Sequence, residues 1–118
     1  AFLEPPEPWP FTSDQRVEMV HRDDVADAIK SSVGTAEAVG NVFNIAGGST
    51  WRLAGKDYVE DFFDFMGAPV EMAVYREEPG WNDWYDTVES QKILNYQNRS
   101  YGFYSGEMKA IVEEMMAE

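Results

Sequence analysis

Cysteine is missing from this chain altogether. That excludes a disulfide framework and any thiolate metal site, and it fits a cytoplasmic protein. Basic residues are scarce: 9 Lys and Arg stand against 22 Asp and Glu, a net charge of −13. Nucleic acids and anionic membrane surfaces are held by clustered Lys and Arg, so neither is expected as a partner. Long apolar runs are missing too. No stretch approaches the roughly 20 apolar residues of a membrane-spanning helix, and no signal-peptide pattern is visible. Neither G-x-G-x-x-G nor a Walker loop occurs, and no Tyr is followed four residues later by Lys; Tyr104 and Lys109 are five apart.

What is there is globular. Hydrophobic residues make up 44% and aromatics 14% of 118 residues, enough for a modest core. The acidity serves solubility or, alternatively, an acidic docking surface for a basic partner. The chain opens Ala1-Phe2-Leu3 without an initiator Met, as a piece of something longer would. Residues 1–15 hold four of the six prolines and read as an extended peripheral arm with Trp9 and Phe11 packing inward. Residues 16–118 read as the body, mixed α and β, with about three short strands and four helices.

The organising stretch runs from Glu18 to Ile45. Val17, Met19 and His21 alternate with Arg16, Glu18 and Val20, which predicts a strand buried on one face. Asp23 is placed to cap a helix from Asp24, with Val25, Ala28, Ile29, Ser32 and Val33 on one side and Gly34 at its end. Asn41-Val42-Phe43-Asn44-Ile45 then predicts a second strand, parallel to the first if they share a sheet. Gly47-Gly48 reads as a plain strand-to-loop turn or, more sharply, as a phosphate approach. Lys56 to Met66 predicts a helix closed by Gly67, and Val70 to Tyr75 a third strand. Asp86 with Glu89 predicts a capped helix through Leu94, and Ser105 the cap of a final helix bearing Met108, Ile111, Val112, Met115 and Met116.

Two clusters carry candidate chemistry. His21 with Asp23, Asp24 and Asp27 offers a metal or acid/base reading, but no nucleophile partner is evident, and a hydrogen-bonded imidazole beside a capped helix explains it as well. Trp81, Trp84 and Tyr85 with Asn82 and Asp83 offer rings to stack on a sugar or base and polar groups for hydroxyls; packing of the loop is the other reading.

His21-x-Asp23-Asp24-Val25-Ala26-x-Ala28, a helix, and Gly40-Asn41-Val42-Phe43-Asn44-Ile45-Ala46-Gly47-Gly48 together resemble the distal part of the extended short-chain dehydrogenases, the NAD-dependent epimerases and dehydratases of nucleotide sugars. Asp86-x-x-x-Ser90-x-x-x-Leu94-Asn95-Tyr96 is similar to that family's terminal signature. The resemblance implies an Arg about ten residues before the signature Asp, paired with the nucleotide diphosphate. Arg76 stands there, although Arg76-Glu77-Glu78-Pro79-Gly80 replaces the family's Arg-x-Gly-Asp. Arg16 stands one step from a second family arginine. Arg76, Trp81, Asp83 and Arg16 are therefore the expected substrate-binding residues.

The resemblance covers about Arg16 to Met115 but only the last third of such an enzyme. The Gly-rich turn and the Tyr-x-x-x-Lys pair would lie upstream. The expectation is the C-terminal fragment of an extended Rossmann-type dehydrogenase, with an incomplete sheet, no catalysis alone, no metal, and NAD(P) held by the rest of the parent protein. If the strand near Val42–Ile45 pairs with the missing portion, its edge is exposed here, and a homodimer or a swapped assembly is expected. The alternatives are a stand-alone acidic binding module, and the tail of a relative acting on a non-sugar ketone.

Overall fold

The computed structural model describes residues 7–117. They form a mixed α and β structure in the order β1 (Arg16–Glu18), α1 (Arg22–Ser32), β2 (Arg52–Ala54), α2 (Gly55–Met66), α3 (Val88–Leu94) and α4 (Tyr101–Met116). Single 3-10 turns lie at Ala36–Ala38, Ser49–Trp51 and Val70–Met72. The sheet is one antiparallel pair, with Val17 opposite Leu53.

The four helices agree with the sequence reading, and β1 falls within the first expected strand; the other two expected strands do not form. Met19-Val20 and the run Asn41 to Ile45 do not form the expected parallel pair. β1 gives one edge to β2, and on the other side a single bond, Gly47 N to Met19 O at 2.8 Å, joins the two segments before they diverge. A cavity of about 330 Å³ lies between Met19-Val20 and Asn44-Ile45-Ala46. The third strand, Val70 to Tyr75, is replaced by a 3-10 turn and one isolated parallel bridge between Tyr75 and Trp9. The reason is chemical. Among the described residues the backbone that pairs with this run is the arm, where Pro8 and Pro10 carry no N–H, so Trp9 donates, to Val74 O at 2.8 Å.

Two apolar clusters divide the interior. The larger joins Phe11, Val17, Trp51, Tyr58 and Val59, with Trp9, Leu53, Phe63, Tyr101 and Tyr104 packed around them. Phe11 and Trp9 thus turn inward as expected of the arm. The smaller joins Ala28 of α1 to Leu94 and Tyr96, with Phe43 and Ile45 against it.

Helix boundaries follow local chemistry, with three corrections. α1 is capped by His21, whose Nδ1 accepts from Asp23 N at 3.0 Å, and not by Asp23. Its inward stripe is Asp24 and Ala28, while Ile29 and Val33 face out, because the Asp24 carboxylate is bound from inside. α3 is entered through Asp86, which accepts from Val88 N at 3.1 Å; Thr87 takes the cap position, and no capping bond runs from Glu89 among the described residues. α4 begins a full turn before Ser105: Ser100 Oγ accepts from Phe103 N at 3.0 Å. Tyr101 and Tyr104 belong to its first turns because their rings pack on Trp51, with centroids 5.3 and 5.5 Å away. α2 ends where expected, on Gly67 in the left-handed region at φ 68°.

No described helix is long and apolar enough to cross a membrane.

Candidate functional site

The expected binding residues lie on or beside the loop from Arg76 to Tyr85, and polar groups of β1 and of Gln15 just before it fasten that loop. Gln15 does most of this. Its Oε1 accepts from Thr12 N at 3.1 Å and Gly80 N at 2.8 Å, and its Nε2 donates to Asn82 O at 2.6 Å. Asn82 Oδ1 in turn accepts from Glu18 N at 3.3 Å. A side chain at Gly80 would run into the carbonyl oxygen of Pro10, so the loop can lie this close to the arm only with glycine there.

Arg16 and Asp83 are brought together. Arg16 Nε lies 2.8 Å from Asp83 Oδ1 and its second nitrogen 3.1 Å from Oδ2, a two-point guanidinium–carboxylate pair. The guanidinium also sits over the Trp84 ring, 5.3 Å from its centroid. Asp83 is held below the usual carboxylate range, first by the hydrogen bond from Trp84 N and then by Arg16. The two charges answer each other, so they hold the loop in register with β1. The pair is exposed, and its contribution to stability is small.

Arg76 and Trp81 stand apart from that pair. Arg76 lies beside Gly80 and donates its backbone N–H to Phe11 O at 3.2 Å. The other four arginines each have an acid within 4 Å, whereas Arg76 has no ion pair among the described residues. Trp81 is 98% exposed.

Sequence reasoning missed Glu18. Its side chain is fully buried, and three N–H groups converge on it: Gly48 N at 2.9 Å, Tyr85 N at 3.0 Å and Arg52 Nε at 3.2 Å. Arg52 also donates to Tyr85 O at 2.6 Å. Glu18 thereby joins β1, the glycine turn and the loop, and forms one wall of the 330 Å³ cavity. Alternation along β1 gave no hint, since it assigns Glu18 to the solvent side.

The glycine pair is required by packing. A Cβ on Gly47 would run into the Trp51 ring and Met19 O. Gly48 sits at φ 93° and ψ −167°, a region open essentially to glycine alone. Its N–H is held by Glu18, which is not the arrangement of a phosphate cradle. Gly48→Ala is expected to destabilise the fold by about 1–3 kcal/mol. Chemical denaturation measures this; an unchanged midpoint would contradict the account.

The acids after His21 are structural ties. Asp24 is fully buried and accepts from Asn98 N and Arg99 N, both at 3.1 Å, and from Arg99 Nη1 at 2.8 Å. Asp27 shares the same guanidinium at 2.9 Å, which pulls its pKa down and pushes that of Arg99 up. Among the described residues no group of three or more His, Asp or Glu is placed to hold a metal ion.

A second depression, of about 440 Å³, opens between α2 and α4 over the larger cluster, lined by Met19, Phe62, Phe65, Tyr104, Met108 and Ile111 among others. At one end His21 Nε2 lies 2.6 Å from Glu107 Oε1. Nδ1 accepts the helix cap, so the neutral ring carries its hydrogen on Nε2 and donates it to Glu107. In its floor, Tyr58 donates to Trp51 O and accepts from Met19 N at 3.2 Å. Burial pushes the Tyr58 and Tyr101 hydroxyls well above the ordinary tyrosine value of 10.0, and the Asp61 carboxylate adds to this at Tyr101. Folding therefore holds these two protons after an unfolded chain would release them. The stabilisation is complete below the ordinary value and is lost as pH rises above it. Thermal unfolding midpoints are expected to fall steeply above pH 10.0, with tyrosinate absorbance rising on unfolding. A flat midpoint across that range would contradict the burial of these hydroxyls.

No protein-family model matches this chain, and no curated protein or solved structure shows a significant match to it.

Proposed function

We propose that this chain is the C-terminal, substrate-side portion of an NAD(P)-dependent epimerase or dehydratase of nucleotide sugars, a cytoplasmic enzyme of the extended Rossmann-type dehydrogenases. One observation carries the reading. The three motifs on which the resemblance rests are distant in sequence yet converge on one buried knot. Asp24 of the His-x-Asp-Asp-Val-Ala motif accepts from the backbone just after Leu94-Asn95-Tyr96. The Tyr96 hydroxyl accepts from Ala46 N at 3.2 Å and donates to Ala46 O at 2.9 Å, at the end of the Asn-Val-Phe-Asn-Ile-Ala run. Ser90 of the terminal signature lies 3.3 Å from the same hydroxyl. Motifs tied together this way make one architectural unit, which is the role the resemblance gives them.

Within that unit Arg76 is the group suited to a nucleotide diphosphate. A planar guanidinium without an acid partner gives two-point recognition of phosphate oxygens. Trp81, fully presented to solvent on the same loop, supplies a ring for a sugar or base. The Arg16–Asp83 pair sets the loop from which both reach.

The residues present do not fit a dinucleotide. This chain has no Gly-rich turn and no Tyr-x-x-x-Lys pair, so the cofactor and the hydride step belong to the proposed upstream portion. The test is titration of the native protein with UDP and dTDP. Arg76→Ala is expected to weaken binding by about tenfold or more, and Arg76→Lys to restore little of it. Equal affinity in all three proteins would remove Arg76 from the site.

A second reading, an acidic binding module, is favoured by one feature. Ile111, Met115 and Met116 of α4 are exposed at half or more of their surface, and Ile111 borders the apolar depression. Under the enzyme reading the upstream portion covers them; under this one a separate protein does.

A further inference from the structure

We propose that residues 42–45 act as an intermolecular β-strand that pairs two copies of this chain edge to edge. The run has a strand's side-chain period. Val42 is 98% exposed and Asn44 is exposed, while Phe43 and Ile45 turn against Ala28, Leu94 and Tyr96. It has no strand's ladder. Among the described residues no hydrogen bond reaches the backbone of Val42, Phe43, Asn44 or Ile45. Unpaired N–H and C=O groups along a run with a strand's side-chain period are a template for another strand.

Charge identifies the occupant. The chain carries −13, yet from Ala38 to Trp51 it has no charged side chain. A basic partner would find no carboxylate on this segment. What the segment presents is backbone and apolar surface, with Val39 at 81% and Val42 at 98% exposure. A second copy presents the same neutral, self-complementary edge, and antiparallel pairing about a two-fold axis brings the two together as a closed dimer. Elsewhere the two acidic bodies repel each other. The dimer is therefore favoured by salt, which screens that repulsion and leaves the neutral strand contact intact. The inference is independent of the enzyme reading.

The test is the mass of the 118-residue chain in solution, by light scattering over a concentration series at about 0.05 M and about 1 M NaCl. A mass of twice 13.4 kDa, with a dimer fraction that rises with salt, is expected. Amide exchange at residues 42–45 is expected to slow as the dimer forms. Val42→Lys changes a fully exposed side chain, leaves the circular dichroism spectrum as it is, and is expected to return the chain to a single-copy mass. A single-copy mass under every condition overturns the proposal. So does a dimer that survives Val42→Lys, or one in which residues 42–45 remain unprotected.

Discussion

Asp24→Ala is expected to remove about 3 kcal/mol or more of stability, enough to threaten folding of a domain this small. The carboxylate is fully buried, and three N–H donors from Asn98 and Arg99 depend on it. Removing it leaves two backbone donors without their acceptor and the Arg99 guanidinium with Asp27 alone, and a lost partner costs more than the net worth of the bonds. Asp24→Asn keeps the shape and one carbonyl acceptor, so its loss is expected to be smaller. The ordering of wild type above Asn above Ala in denaturant midpoint separates a hydrogen-bonding role from mere volume. Because Arg99 is the shared partner, Asp24→Ala and Arg99→Ala are expected to combine less than additively. A loss of under about 1 kcal/mol for Asp24→Ala would mean that the knot joining the motifs contributes little.

Trp51→Ala is expected to cost about 3–5 kcal/mol, the usual range for emptying a buried Trp site. Trp51 is 2% exposed and stands at the centre of the larger cluster, with Tyr101 and Tyr104 of α4 against its ring. Its indole donates to Arg99 O at 2.9 Å, and its own carbonyl accepts from the Tyr58 hydroxyl. Truncation removes ring contacts to α4 and leaves Arg99 O without its indole donor. α4 is expected to loosen first, seen as loss of amide protection over Tyr101 to Met108 before the rest of the chain. Trp51→Phe fills most of the volume without the N–H and is expected to recover over half of the loss. A variant with Ala at this position that is as stable as the parent would contradict the packing described.

Helices were legible in the sequence where their signals are local. α2 is an amphipathic run ending on a glycine, and both features act within a few residues. The first turn of α4 was hidden because two glycines and a row of aromatics resemble a loop until Trp51 is known to lie beneath Tyr101 and Tyr104. Strands fared worse, since a strand needs a partner that alternation does not name. Val70 to Tyr75 alternates well, but the arm beside it carries prolines. Asn41 to Ile45 alternates well and has no ladder among the described residues. The candidate site divides in the same way. Arg76 was nameable from motif order, and Trp81 from the aromatic and polar cluster in which it stands. The Arg16–Asp83 pair and the burial of Glu18 depend on contacts between 30 and 67 residues apart, which nothing local announces.

The central claim is that this chain is one portion of a larger nucleotide-sugar enzyme. An antibody raised against it, used to isolate the native protein from its source cells for intact mass and peptide sequencing, tests this most directly. The account predicts a polypeptide of roughly two to three times 13.4 kDa, as an added dinucleotide-binding domain requires, carrying a Gly-rich turn and a Tyr-x-x-x-Lys pair upstream of Arg16. A native protein of 13.4 kDa would contradict it, and the acidic binding module would then be the reading to pursue.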